Sequence, residues 1–272
     1  MKLNTIYTEY KATEILKGSP YSFTFFFWLT KLLSLLQRKS ALLNRLVHKF
    51  YTVAPKVEFV IKNNSGIFAV QAFDDSTTIC ADYFERDIRD WLLTPPVKQV
   101  FVDIGANRGI YSIIAPTKYG YEQVHAFEPN LEMFEVLKRN VALNALTTKV
   151  TCHQIAAGKE AATAHFTVDP MHKGGGRIVS ETSSETFEVV VEPLDLILAA
   201  TLPERVSFIK IDTEGFEFAV LAGMHTILKG MPAGACIMVE TTQLKEMTTL
   251  LADYNFTHQK SSDHDHLFSK HA

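Results

Sequence analysis

The stretch from Val100 to Ser112 restricts the folds open to this chain more than any other. Val100-Phe101-Val102-Asp103-Ile104 is a short apolar run rich in β-branched residues, the composition of a strand buried on both faces. It passes into Gly105-Ala106-Asn107-Arg108-Gly109 and then into an apolar helical pattern over residues 110–115. Gly105 admits a turn too tight for a side chain, and Gly109 lets a helix begin close to a ligand or to the strand. Strand, glycine turn and helix N-terminus in this order build a nucleotide-type cofactor site at the carboxyl end of a parallel sheet.

The spacing bears on which cofactor. A dinucleotide fingerprint, G-x-G-x-x-G, brings backbone up to a pyrophosphate. Here the glycines stand four apart and an acid, Asp103, precedes the first by two residues. An anion repels a phosphate and attracts a cation. S-adenosylmethionine (SAM) carries a sulfonium and an α-amino group and no phosphate, so Asp103 favours SAM over NAD. A plain strand–turn–helix with a capping aspartate is the simpler reading of these residues alone.

Strand and helix patterns alternate along the rest of the chain. A hairpin is expected over residues 58–70, turning through Asn63-Asn64-Ser65-Gly66, and a helix over residues 83–93 stops at Pro95-Pro96. After the opening strand and helix come a strand at Gln123–Phe127, a helix over residues 131–144 and a strand over 150–155. A strand over 208–211, a helix over 216–228 and a strand over 235–239 follow. Such alternation means a doubly wound α/β sheet. An insertion of β character, residues 161–168 and 187–191, brackets a glycine-rich segment, residues 171–177, expected to be a flexible loop. Residues 255–258 and 265–269 suggest a last antiparallel pair at the sheet edge.

Apolar residues make up 47% of the chain and charged ones 21%, which suits a soluble domain with a substantial core. Cys80, Cys152 and Cys236 share no metal-ligand spacing and fit a reducing, cytoplasmic compartment. The net charge of −3 is unevenly spread: residues 1–57 hold nine Lys and Arg against two acids, leaving −10 for residues 58–272. We therefore expect two parts, a basic, apolar helical extension (1–57) and an acidic cofactor domain (58–272). The acidic domain argues against nucleic acid as partner. Residues 21–50 are too short and too interrupted to span a membrane, and two readings fit them: a helical subdomain packed on the main domain, or peripheral contact with an anionic membrane surface.

Ligands of open α/β sheets bind outside the carboxyl ends of the strands. Four expected strands end at an acid: Asp103, Glu128, Asp212 and Glu240. Glu128 ends the second strand, where an acid accepts hydrogen bonds from both ribose hydroxyls. Gly105, Ala106, Asn107, Gly109, Pro129 and Asn130 complete the expected cofactor wall, and small residues around Ala156 would flank an adenine.

These residues carry a resemblance. Asp103–Gly109, Phe127-Glu128-Pro129-Asn130 and above all Ile209-Lys210-Ile211-Asp212-Thr213-Glu214-Gly215-Phe216-Glu217 resemble the FkbM family of SAM-dependent methyltransferases. Val220-Leu221-Ala222-Gly223 and Pro193-Leu194-Asp195 extend the likeness, which covers roughly residues 80–240. It implies a mostly parallel, seven-stranded class I methyltransferase sheet of Rossmann-like form, and O-methylation of a saccharide or a saccharide-containing lipid or natural product. A hydroxyl needs a general base. Glu214, Glu240 and Asp212 are the candidates, Glu214 or Glu240 facing the acceptor and Asp212 serving the methionine end of the cofactor. No ligand spacing demands a metal. Asp263, His264, Asp265 and His266 resemble a metal cluster by type, but strand alternation would put both histidines on one face and both aspartates on the other. An NAD-dependent oxidoreductase and a catalytically silent SAM-binding scaffold are the competing readings.

Overall fold

The computed structural model describes residues 12–36, 40–53, 57–72, 74, 76–82, 84–169, 172–180, 186–201 and 203–272. The chain divides into two compact units, Met1–Phe84 with Val168–Gly175, and Glu85–Thr167 with Gly176–Ala272.

The first unit runs β1 (Glu14–Lys17), α1 (Pro20–Leu36), α2 (Ala41–Val53), β2 (Glu58–Asn63), β3 (Gly66–Gln71) and α3 (Ser76–Ile79). β2 and β3 are the expected hairpin, its turn held by Asn63 Oδ1, which accepts from the backbone N–H groups of Ser65 and Gly66. β1 pairs antiparallel with β2, so the hairpin folds with the N-terminal elements. The division between the two units falls at Phe84, beyond the hairpin. Phe23 and Phe27 of α1 are buried, and the Phe23 ring meets Phe59 of β2 edge-on at 5.2 Å.

In the second unit, α4 (Arg86–Arg89) precedes β4 (Val100–Ile104), α5 (Ile110–Lys118), β5 (Gln123–Phe127), α6 (Leu131–Leu143), β6 (Val150–His153) and β7 (Ala156–Ala157). β8 (Ala162–Asp169) and β9 (His172–Val179), whose residues from Val168 to Gly175 count with the first unit, then β10 (Thr186–Glu192) and α7 (Leu194–Ile197) follow. Then come β11 (Val206–Ile211), α8 (Glu217–Ala222), α9 (His225–Gly230), β12 (Cys236–Glu240), α10 (Leu244–Ala252), β13 (Phe256–Ser262) and β14 (Asp265–Lys270). Seven strands form one sheet in the order β13-β14-β12-β11-β4-β5-β6, parallel from β12 through β6, with β14 antiparallel to both its neighbours. This is the doubly wound, mostly parallel sheet anticipated from the alternation. β4 is the middle one of the five parallel strands, and its side chains are all buried, Asp103 among them. Val100, Val102 and Ile104 join the core under α7, α8, α9 and α10. Phe101 points to the other face, where its ring meets Tyr121 at 5.6 Å and Phe208 at 5.8 Å. Each such fully buried side chain contributes roughly 1.5–3 kcal/mol.

The structure departs from the sequence pattern in several places. The helix expected over residues 83–93 is one turn, α4, followed by a 3-10 turn over Asp90–Leu93. The helix expected over 216–228 is two, α8 and α9, broken at Gly223. A Cβ at Gly223 would stand 1.9 Å from the carbonyl oxygen of Gly158, and that close approach sets the break. The third strand stops at His153, and β7 leaves the large sheet to pair in parallel with β10. There it joins a four-stranded sheet in the order β7-β10-β8-β9. Residues 172–177, anticipated as a flexible loop, instead run extended within the edge strand β9, since neighbouring β8 satisfies their backbone and glycine offers no side chain to oppose an extended path. Met171 lies outside the described residues.

Candidate active site

β4 delivers Asp103 one residue before its end, fully buried. Ser112 Oγ, on the first turn of α5, donates to Asp103 Oδ2 at 2.6 Å. Asp103 Oδ1 is buried and has no hydrogen-bond donor. Burial raises this carboxyl above its usual range; Lys210 and the Ser112 hydroxyl pull it back, and Asp212 pushes it further up. Gly105 takes φ +77°, and a Cβ there would lie 1.8 Å from the carbonyl oxygen of Asp212. The turn thus packs against the chain leaving β11, and only glycine fits. The N–H groups of Gly105 and Ala106 donate to the Phe127 carbonyl at 3.1 and 2.9 Å, which ties the turn to the end of β5. Asn107 also has a positive φ of 50°; its N–H donates to Glu128 Oε2 at 2.9 Å, and its Oδ1 is buried without a donor. Gly109 takes φ +83° and a Cβ would meet Leu137 Cδ1 at 2.4 Å, so the packing of α6 on the start of α5 sets this glycine.

Glu128 follows β5 and is buried. Its Oε2 accepts from Asn107 and its Oε1 from the N–H of Asn130, at 2.9 Å each. Burial pushes the carboxyl up to about 7, partly offset by those two N–H groups and reinforced by Asp103 and Asp212. Asn130, beyond Pro129, caps α6: its Oδ1 accepts from Glu132 N at 2.9 Å. Ala156 is buried in β7 opposite Val191.

A second group of charges surrounds Lys210. This lysine lies on β11, buried, with Nζ 2.7 Å from Asp212 Oδ2 and 5.1 Å from the centre of the Tyr111 ring. Tyr111 donates its hydroxyl to Glu85 Oε2 at 2.8 Å, and Glu85 is held at φ 51° just before α4. Burial opposes the lysine's charge, but Asp212, Asp103 and Glu85 together raise its pKa above the ordinary value. Glu240, at the end of β12, hydrogen-bonds Asp212; burial, then Asp212 and Asp265, push it up to about 9. Asp265 begins β14 directly opposite Glu240, and burial pushes it up to about 6.

Asp212 and Glu240 therefore adjoin, as their strand-end positions suggested. Glu214 does not join them in the interior. It is exposed, in a left-handed turn at φ 54°. Buried Glu217 holds this turn, its Oε1 accepting from Thr213 Oγ1 at 2.9 Å and Gly215 N at 2.8 Å. Tyr111 and Glu85 escaped the sequence reading, Asp265 entered it only within a metal-like cluster and Lys210 only within the family motif, although Lys210 signalled itself as a charge within an apolar strand. The histidine reading also changes. Asp263 and His264 form the β13–β14 turn, which breaks the alternation, while His266 is buried with Nε2 donating to the Thr241 carbonyl at 3.1 Å. Among the described residues, no group of three or more His, Cys, Asp or Glu is arranged to hold a metal ion.

A glycine turn after the middle parallel strand, an acid ending the next strand and an antiparallel strand inserted near the far edge define a class I methyltransferase fold. The methyltransferase FkbM domain matches residues 103–266, more than half of the chain, and the chain belongs to that family. It is 28% identical to methyltransferase sdnD of Sordaria araneosa over 159 residues, 47% of this chain and 61% of that one. It is 26% identical to the hexuronic acid methyltransferase AglP of Haloferax volcanii over 187 residues, 68% of this chain and 75% of that one. A solved FkbM methyltransferase from Methylobacillus flagellatus superposes with a TM-score of 0.46 at 18% identity, covering 63% of this chain and 43% of that one.

Proposed function

We propose that the protein transfers a methyl group from SAM to a hydroxyl of a saccharide, free or carried on a lipid or natural product. The observation that supports this most is the pair of buried acceptors on the glycine turn, Asp103 Oδ1 and Asn107 Oδ1. A buried acceptor without a donor is costly, and an ammonium or hydroxyl group offers what these two lack. Glu128 keeps acceptor capacity beyond its two backbone donors, since a carboxylate has about four lone-pair positions, and so suits the ribose hydroxyls. On this reading Ala106, Pro129, Asn130 and Ala156 would line the cofactor site without adding charge. Bound SAM would supply an electrophilic methyl carbon on a sulfonium.

The protein's own part is to orient the acceptor and remove its proton. Adjacent carboxyls do not both ionise, and the Asp212–Glu240 pair shares a proton. Lys210 at 2.7 Å favours charge on Asp212, leaving Glu240 the protonated member. On this reading Asp212 is the general base, Glu240 orients it, and Glu214 stands on the exposed rim. The saccharide is supported by the family resemblance and by the hexuronic acid acceptor named for AglP.

Replacing Asp103 by Ala is expected to abolish SAM binding in calorimetry; unchanged affinity overturns the cofactor assignment. Incubation of the protein with methyl-labelled SAM and an extract of its source is expected to label a saccharide. Label in nucleic acid overturns the acceptor class.

A further inference from the structure

We propose that α1 and α2 form a docking face for an anionic lipid bilayer. α1 is apolar on two opposite sides. Phe23 and Phe27 are buried, whereas Tyr21, Phe25, Leu32 and Leu35 are exposed, Tyr21 at 89% and Phe25 at 61%. With half-buried Trp28 these residues follow one another at intervals of four and three, so they form a single stripe along the helix. α2 repeats the pattern: Leu42 (69%), Leu46 and Phe50 are exposed in a row, with exposed Arg45 and Lys49 alongside, while Val47 is buried. Large apolar side chains lined up with cations on the same surface are the signature of a helix lying in a membrane interface.

The charge selects the occupant. Between Glu14 and Glu58 the chain has seven Lys and Arg and no acid. Lys31 is not part of the face, because its Nζ donates to Thr78 Oγ1 at 2.6 Å. A second copy seated on this face would bring cations against cations with no acid to offset them. Phosphatidylglycerol or another anionic headgroup supplies the opposite sign to the exposed Arg45 and Lys49. No helix among the described residues is long and apolar enough to cross a membrane, so the contact is interfacial.

The full chain can report on itself, since its two tryptophans are Trp28 on the stripe and buried Trp91. We expect it to float with phosphatidylcholine vesicles containing phosphatidylglycerol at low salt, and at least ~10-fold less with phosphatidylcholine alone. Brominated phosphatidylglycerol is expected to quench the Trp28 emission of the unaltered protein. Arg45→Glu with Lys49→Glu, and separately Leu42→Asp with Leu46→Asp, are expected to lose flotation while eluting as folded protein. Absence of flotation, flotation that ignores lipid charge, or flotation without quenching overturns the proposal. So does a dimer in solution that Leu42→Asp with Leu46→Asp converts to monomer.

Discussion

Lys210 stands where an apolar strand would otherwise carry another Val or Ile, and the acids of the site depend on it. Removing its charge would take away the cation that offsets the mutual repulsion of Asp103 and Asp212. On the proposed mechanism the same lysine would divide the roles of the Asp212–Glu240 pair, because it pairs with Asp212 at 2.7 Å. Asp212→Asn is therefore expected to lower kcat by about 10²–10⁴ with little change in SAM affinity. Glu240→Gln keeps a neutral donor beside Asp212 and is expected to lose less, about 10-fold. Steady-state kinetics with calorimetry on both variants checks this ordering. A larger loss for Glu240→Gln would make Glu240 the base. At this scale Asp103, Asp212 and Glu240 were legible in the sequence, because each ends an expected strand. Glu85 and Asp265 were not. They come from the segment before α4 and from an antiparallel strand, and only the folded sheet sets Asp265 opposite Glu240.

The strands were legible because β-branched runs bounded by glycine and acid leave few alternatives. The breaks in elements were less so, because they depend on what packs across them. Gly223 ends α8 because Gly158 approaches its Cα, and Asp195 then starts α9 from a distance. Its two carboxylate oxygens accept from Thr226 N at 2.8 Å and Ile227 N at 3.0 Å, while its own N–H donates to the Gly223 carbonyl at 3.0 Å. Pro193-Leu194-Asp195 thus acts as the remote cap of a helix some thirty residues later. No reading of local periodicity finds a cap that far away. Asp195→Ala leaves two first-turn N–H groups without their acceptor and is expected to destabilise the fold by about 1–2 kcal/mol, measured by denaturant unfolding. Asp195→Asn, which keeps one acceptor oxygen, is expected to recover part of that loss. Equal stability of Asp195→Ala and the unaltered protein would show that the cap contributes nothing. The glycine segment of β9 belongs to the same class of misreading: composition suggests a loop, and a neighbouring strand overrides it.

For the molecule as a whole, the ligand-free fold holds more protons on its carboxyls than the unfolded chain does, and its stability should record this. Glu128 is pushed up to about 7 and Glu240 to about 9, both chiefly by burial. Asp212 and Asp265 crowd Glu240 while Lys210 counters them; Asp103 and Asp212 crowd Glu128. A carboxyl whose pKa is higher in the folded state contributes stability that is complete at low pH and lost as pH rises through the folded value. Histidines act in the opposite sense at lower pH. Burial holds His153 down at about 4, with His125 adding to the effect, and burial lowers His125 and His266 as well, so their contribution is lost as pH falls below about 6.5. Lys31, lowered to about 8 by burial, costs the fold stability below that pH, a penalty relieved as pH rises above it. Between pH 6.5 and 8 the raised carboxyls, Glu128 and Glu240 with Asp103 and Glu85, therefore set the sign of the slope. In this window the melting temperature of the ligand-free protein is expected to fall by about 3–6 °C as pH rises. Glu240→Gln, neutral at every pH, is expected to flatten that fall without abolishing it, because Glu128 still titrates. Differential scanning calorimetry at several pH values tests both points. A melting temperature that rises across the window, or an unchanged slope in Glu240→Gln, would mean that Glu240 is ionised in the ligand-free site and that the proton shared with Asp212 is absent.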